Sequence, residues 1–157
     1  MKKQNKLDKR RRREGKTNYT KRLILLKGNV NRLVIRKSDR YVVVQVVESN
    51  GAQDKVISSV STKDLLKYGW PKDKAGSLKS LGACYLSGLL LGKKMEGKGK
   101  VILDSGLIPN TKGSRVYAVV KGLADSGIEV PFNEKVIPEK ERIEKDEFFS
   151  KVKDKVK

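Results

Sequence analysis

The chain has 157 residues, a formal net charge of +19 and a pI of about 10.1. This length allows one domain with a hydrophobic core, and this charge favours a polyanionic partner such as a nucleic acid. The single cysteine, Cys84, excludes an intrachain disulfide, and the absence of histidine excludes a zinc site of the usual ligands and the commonest general base.

The first 16 residues are predicted to form a basic arm. Residues 1–22 contain eleven Lys or Arg and only two Asp or Glu. Residues 132–157 are nearly balanced in charge, with eight Lys or Arg and seven Asp or Glu. Leu7 is the only aliphatic side chain after Met1 in residues 1–16, so this segment cannot bury enough apolar area to offset the entropy of ordering. We therefore expect a flexible arm over residues 1–16 that orders on its partner.

Four consecutive arginines, Arg10–Arg13, lie within this arm. Neighbouring guanidinium groups repel one another, and each presents a planar fork of donors that matches a phosphate. A lone basic run is often only a localisation signal or a solubility patch. Here the run leads to Tyr19 and to a short helix that Thr17 or Asn18 can cap and Gly28 can end. Because phosphate binding and base stacking can then occur side by side, the segment predicts RNA contact.

Three segments rich in Val and Ile follow this helix. Residues 32–37, 41–48 and 55–61 predict an antiparallel meander, with turns at residues 38–40 and 50–51. Both alternating sets of side chains in the second strand are mostly apolar, so we expect that strand to be covered on both faces.

The next segments predict helices. Thr62 can cap a short helix over residues 63–68, and residues 69–76 are predicted to be a loop. Ser77 then opens a longer helix with apolar residues at helical spacing, in which small residues such as Gly88 allow close approach of a neighbouring element.

A fourth strand is predicted over residues 101–104, followed by a helix from Ser114 to about Ser126. The fourth strand must join the meander by a crossover, which makes the sheet mixed. The predicted fold class is therefore α/β, with three layers in which helices lie on both faces of the mixed sheet (α/β/α). We divide the chain after the arm into an α/β RNA-binding domain over residues 17–137 and a charged C-terminal helix or tail over residues 138–157.

The loop before the helix at Ser114 is a second candidate RNA contact. The free amides and the dipole of a helix N-terminus attract anions, and Lys112, Ser114 and Arg115 add donors there. The alternative is an ordinary loop in which Ser114 caps the helix, and the two interpretations are compatible.

Several other features are predicted to be structural. Residues 92–98 have the spacing of a phosphate-binding loop but lie between a helix and a strand, in the reverse order, so we interpret them as a helix end with favourable lysines. Asp104 has too few neighbouring carboxylates for two-metal chemistry. Cys84 is expected to be a buried small side chain, and Trp70 either stacks on RNA or anchors its loop to the core.

Four segments carry a family resemblance: residues 10–19, 68–70, 85–90 and 111–117. In this order and spacing they resemble the archaeal and eukaryotic branch of the large ribosomal subunit protein eighteen family, over about residues 10–140. The chain lacks the long extra segments of eukaryotic members and is similar to the archaeal type.

The resemblance implies a structural constituent of the large ribosomal subunit, without enzymatic activity, cofactor or metal. Members bind 5S rRNA and help attach it to 23S rRNA in the central protuberance, beside other large-subunit proteins. We accordingly expect a cytoplasmic protein with no membrane partner. The predicted RNA-binding residues are Arg10, Arg11, Arg12, Arg13, Lys16, Thr17, Tyr19 and Arg22 in the N-terminal segment, and Lys112, Ser114 and Arg115 in the later loop.

Two alternatives from other classes remain at this point. A ribonuclease-H-like nuclease also has a meander and a crossover in its sheet, but this chain offers too few carboxylates at its strand ends. A general RNA chaperone would bind 5S rRNA and unrelated structured RNA with equal affinity.

Overall fold

The computed structural model of the chain describes residues 7–51, 53–96 and 99–156. The strands are β1 (Asn31–Lys37), β2 (Val42–Asn50), β3 (Gln53–Ser61) and β4 (Val101–Asp104). The α-helices are α1 (Arg10–Arg13), α2 (Tyr19–Lys27), α3 (Leu81–Lys94), α4 (Arg115–Asp125), α5 (Lys140–Ile143) and α6 (Phe149–Val156). Short 3-10 helices cover Thr62–Tyr68, Lys72–Ser77 and Glu134–Val136.

The four strands form one mixed sheet in the order β3-β2-β1-β4. The pairs β1–β2 and β2–β3 are antiparallel, and β4 runs parallel to β1, with Leu33 opposite both Val46 and Leu103. The predicted meander and the crossover to a fourth strand are therefore confirmed, as is the mixed α/β fold class.

Helices α3 and α4 pack against each other and share one hydrophobic core with the sheet. Their first residues lie beside the same cleft and Gly92 of α3 approaches Ser126 after α4, so the two helices run in the same direction. Leu33 and Ile35 of β1 join the hydrophobic core beneath them. The two helix backbones meet at glycines, since a Cβ atom on Gly88 would collide with the carbonyl of Val119, and one on Gly122 with the carbonyl of Tyr85. Small residues thus allow the close approach that the sequence predicts.

The opposite face of the sheet is covered only in part. Helix α2 lies at one end of it, where Gly28 approaches the side chain of Ile102. On β2, Val47 is buried but Val43 is only half-buried, so the expectation that both faces of this strand are covered is only partly correct. Helix α2 has only nine residues and buries none of them fully, and its Leu23 and Ile24 side chains are exposed, so it covers only part of this face.

Two predicted helix starts are wrong. Ser61, rather than Thr62, caps the first 3-10 helix, because it forms a capping box with Asp64 three residues later. Ser80, rather than Ser77, caps α3, and its hydroxyl accepts a hydrogen bond from the amide of Ala83 at 3.2 Å. The predicted loop at residues 69–76 includes most of the 3-10 helix Lys72–Ser77.

The C-terminal segment packs against the rest of the fold. Ile143, Phe149, Val152 and Val156 are buried and belong to the same core as α3 and α4. The Phe149 ring lies 5.8 Å from the ring of Tyr85 on α3. The charged residues of this segment therefore surround an apolar stripe that is part of the core.

Candidate nucleic-acid interface

The four arginines of the N-terminal segment form the short helix α1 and are all exposed. Arg10 pairs with Glu14 at 3.7 Å and Arg12 with Asp8 at 3.5 Å, each one helical turn apart. Such exposed pairs contribute little to stability, so they leave the guanidinium groups available to a stronger anion. Residues 1–6 of the predicted arm lie outside the described part of the chain.

The segment between α1 and α2 folds back on itself. The Nε atom of Arg11 donates a hydrogen bond to the Thr17 hydroxyl at 2.9 Å. The ammonium group of Lys9 lies 4.6 Å from the centre of the Tyr19 ring. Of the two predicted caps for α2, Asn18 is the one that accepts a backbone hydrogen bond. These contacts place Thr17 and Tyr19 beside the arginines.

A cleft of about 680 Å³, here called the first cleft, separates this segment and α2 from the end of β1 and the loop that follows β4. Among the residues that line it, Asp104 is the carboxylate and Tyr19 the aromatic side chain. The cations that line it are Arg11, Lys16, Lys21, Arg22, Arg36 and Lys37. The first cleft is therefore strongly basic and open to solvent.

The carboxylate of Asp104 is held by the sheet. Its Oδ2 atom lies 2.8 Å from Nη1 of Arg32, and both side chains are buried. Its Oδ1 atom accepts the amide hydrogen of Gly106 at 2.9 Å, and its main-chain oxygen accepts a hydrogen bond from Arg36 at 3.0 Å. Asp104 is thus a structural carboxylate, as expected, and it fixes the wall of the first cleft.

Arg22 is held in an ion pair with Asp54 of β3, at 2.8 Å. Asp54 also pairs with Arg32 at 2.9 Å and accepts a hydrogen bond from Ser49. Burial raises the pKa of Asp54, but the hydrogen bonds from Arg22, Ser49 and Arg32 outweigh it and lower the pKa to about 2. The network ties α2 to the sheet.

A second cleft of about 410 Å³ contains part of the other predicted site. Ser114 and Arg115 line it, whereas Lys112 is exposed and lines neither cleft. Ser114 precedes α4 at the capping position, but its hydroxyl makes no capping hydrogen bond. The first and second clefts share Lys37 and Ile108 and are therefore neighbours.

The pattern of the sequence did not identify Lys21, Arg36, Lys37 or Arg142, which the structure adds to the two clefts. Lys21 adjoins Arg22, Arg36 adjoins Lys37, and Arg142 lies in a segment of mixed charge, and one or two cations in such a context carry no local signal. Only Arg36 had a signal in the sequence, because the alternation of side chains along a strand places it on the same face as Arg32.

Trp70 anchors its loop to the core. Its side chain is 2% exposed, its Nε1 atom donates to the carbonyl of Lys74 at 3.2 Å, and its ring lies 4.7 Å from that of Phe148. The alternative, stacking on RNA, is excluded by this burial. Cys84 is fully buried, and burial raises the pKa of its thiol to about 12.

The motif at residues 92–98 begins at the end of a helix. Helix α3 ends with Lys93 and Lys94 in its last turn, as predicted, while Gly97 and Lys98 of the same motif lie outside the described residues. In the part of the chain that the structure describes, no group of Asp, Glu and Cys could hold a metal ion. No described helix is both long and apolar enough to span a membrane.

Comparison with known proteins decides the family. The family model described as "Ribosomal large subunit proteins 60S L5, and 50S L18" matches residues 3–101 and 96–133. The chain belongs to this family. Its relatives include the large ribosomal subunit protein uL18 of Korarchaeum cryptofilum, 47% identical over 136 residues that cover 85% of this chain and 68% of the relative.

Two further uL18 relatives support the assignment. The protein of Methanococcoides burtonii is 46% identical and that of Methanosphaera stadtmanae 40%, each over 136 residues and 85% of this chain, with 76% and 68% of the relative covered. The predicted resemblance to archaeal members is confirmed. Because these relatives are structural proteins of the ribosome and not enzymes, the chain is a structural constituent of the large subunit, and the nuclease alternative is excluded.

Proposed function

We propose that this member of the uL18 family binds 5S rRNA and helps attach it to 23S rRNA in the central protuberance, beside other proteins of that region of the cytoplasmic ribosome. The observation that carries the proposal is the first cleft, where cations from the arm, α2 and β1 meet around one open space. The carboxylate that lines it is neutralised by Arg32. A phosphate backbone therefore meets no unpaired negative charge among the described lining residues.

Arg11 and Lys16 of the arm line the first cleft, and the other three arginines of α1 are exposed outside it and extend the basic surface. Each exposed guanidinium group of Arg10–Arg13 donates two hydrogen bonds to the oxygens of one phosphate, and the Lys16 ammonium adds a positive charge. Tyr19 is half-buried, with Lys9 near its ring, and it provides a surface on which an unpaired base can stack. Thr17 contributes by orienting Arg11 through their hydrogen bond.

Lys21 and Arg36 supply the inner wall. The Lys21 ammonium donates to the carbonyl of Gly106 at 3.2 Å and to the hydroxyl of Ser105 at 3.3 Å, so its charge stays at the base of the cleft. Arg36 is half exposed and lies against the same loop. Both cations are held in place before RNA arrives, which reduces the entropy lost on binding.

Arg22 acts chiefly by positioning α2, because its guanidinium already pairs with Asp54. Any phosphate contact it makes uses the part of the guanidinium that this ion pair leaves open. Ser114 and Arg115 form a second contact at the start of α4, where they line the second cleft, and Lys112, which lines neither cleft, makes a weaker contact beside them.

A filter-binding comparison tests the proposal. We expect the purified protein to bind 5S rRNA at least tenfold more tightly than a structured control RNA of equal length at the same salt concentration, since non-specific phosphate contacts alone cannot discriminate between them. Equal affinities would contradict the proposal and favour a general RNA chaperone.

A further inference from the structure

We propose that the second cleft binds a phosphodiester segment of the same 5S rRNA, so that the RNA-binding surface continues from the first cleft past Lys37 to the N-terminal ends of α3 and α4. This inference rests on the proposed function and extends its second contact, at the start of α4, to Lys37 and Arg142 as further phosphate ligands.

The position of the second cleft supports a continuous path. Lys37 is the last residue of β1, and Ile108 belongs to the loop that follows β4; both line the two clefts. An RNA strand that leaves the first cleft over Lys37 therefore enters the second cleft directly. Lys37 is exposed and can contact phosphates on either side.

The charge of the second cleft selects an anion. Lys37, Arg115 and Arg142 line it and are exposed, and no Asp or Glu is among its lining residues. Within the described residues, none of these three cations lies within ion-pair distance of a carboxylate. These three unpaired cations surround a cleft of about 410 Å³ and repel one another until a polyanion neutralises them.

Arg142 reaches the cleft from the C-terminal segment. Its Nη1 atom lies against Gly113, which has a φ of +67° in the turn before α4. A side chain at this position would be strained and would meet the guanidinium, with Cβ at 3.2 Å from Nη1. Because Gly113 has no side chain, the Arg142 guanidinium fits beside the first residues of α4.

The two long helices direct their positive ends to the same place. The capping residues of the two helices, Ser80 and Ser114, both line the second cleft. Neither helix has an acidic residue in its first turn, and Arg115 adds a positive charge at the start of α4. Two helix N-termini that have no acidic residue in their first turns, or among the described residues that line the cleft, favour an external anion at this end.

An unpartnered hydroxyl gives a second, independent indication. Ser80 caps α3 with its hydroxyl, but the hydroxyl oxygen of Ser114 is buried and has no hydrogen-bond partner among the residues that the structure describes. A buried hydroxyl without a partner is costly, and the first amides of α4 also lack a side-chain cap. A phosphate group entering the cleft supplies acceptors for these amides and, after a rotation of the Ser114 side chain, for the hydroxyl.

The test is 5S rRNA binding by the double variant Lys37→Gln/Arg142→Gln over a range of salt concentrations. The matched control, Lys63→Gln/Lys67→Gln, removes two exposed charges from the 3-10 helix Thr62–Tyr68, which lines neither cleft. For two lost phosphate contacts, we expect the slope of log affinity against log salt to become shallower by about 1.4 to 1.8. The control slope should change by less than about 0.5.

The conservative variant Arg142→Lys should keep most of the slope, because it retains the charge. If the double variant fails to fold, each single Gln variant should lower the slope by about 0.7 to 0.9. An unchanged slope in a folded double variant, or an equal change in the control, would overturn the inference. Failure of the 5S assignment is distinguishable, since it appears as equal binding of 5S and control RNA by the unmodified protein.

Discussion

Arg32 of β1 and Asp104 at the end of β4 form an ion pair in which Nη1 and Oδ2 are 2.8 Å apart and the two side chains are only 3% and 8% exposed. The pair joins the two parallel strands beneath the loop that lines the first cleft. Removing one member of a buried pair leaves the other charged and poorly solvated, which is strongly destabilising.

Replacement of Asp104 should therefore lower stability as well as alter the first cleft. We expect Asp104→Asn to reduce the free energy of unfolding by about 3 kcal/mol in urea titrations, since Arg32 keeps only its pair with Asp54. The exposed Asp39→Asn serves as control and should cost less than about 0.5 kcal/mol. Equal effects of both substitutions would show that the buried pair contributes no more than a surface carboxylate.

The low pKa of Asp54 predicts a pH dependence of stability. Its pKa is lowered from 3.8 to about 2 in the folded protein, so the ionised carboxylate stabilises the fold above about pH 4, and this contribution is lost as the pH falls towards 2. Between these values, unfolding measurements should show a steeper loss of stability for the unmodified protein than for Asp54→Asn. Parallel curves would contradict the role of the Arg22–Asp54–Arg32 network.

The C-terminal segment should contribute directly to folding. Phe149→Ala removes a buried ring from the core and is expected to cost about 3 to 5 kcal/mol in the free energy of unfolding. Lys151→Ala changes an exposed neighbour on the same helix and should cost less than about 0.5 kcal/mol. A small effect of the Phe149 substitution would mean that α6 is not part of the cooperative core.

The two cations of the loop before α4 should differ in their effect on RNA binding. Arg115 lines the second cleft and Lys112 does not, although both are exposed. We expect Arg115→Ala to weaken 5S rRNA binding about tenfold and Lys112→Ala less than about threefold, with unfolding temperatures unchanged. If Lys112→Ala weakens binding more than Arg115→Ala in a filter-binding assay, the RNA lies on the outer side of the loop.

Most of the fold could be predicted because its signals are local. The Val- and Ile-rich strands, the turn at Asn50–Gly51 and the apolar stripes of α3 and α4 each appear within a few residues of sequence. The start of α3 was misplaced because Ser77 and Ser80 are both suitable caps, and only the hydrogen bond to the Ala83 amide decides between them.

The candidate site was predicted less completely because it depends on long-range contacts. The arginines of the arm form a run that is visible in the sequence, whereas Lys21, Arg36 and Lys37 meet only after β4 has paired with β1. The buried C-terminal stripe had a signal in the helical spacing of Phe149, Val152 and Val156, but the many surrounding charges obscured it.

The central claim is that the arm binds 5S rRNA through its arginines, and the salt dependence of binding tests it most directly. Replacing Arg10–Arg13 by Gln removes four positive charges from an exposed helix that buries no residue, so the fold should be unaffected. A control with four exposed lysines changed to Gln, at Lys63, Lys67, Lys72 and Lys151, has the same net charge but leaves both clefts intact.

The account predicts that the arm variant loses affinity for 5S rRNA and that its slope of log affinity against log salt is shallower by about two to three, while the control slope changes by less than about one. Lys replacements at the same four positions should retain most of the slope but bind more weakly, because an ammonium cannot make the two-point contact of a guanidinium. An arm variant with unchanged affinity and slope would contradict the claim.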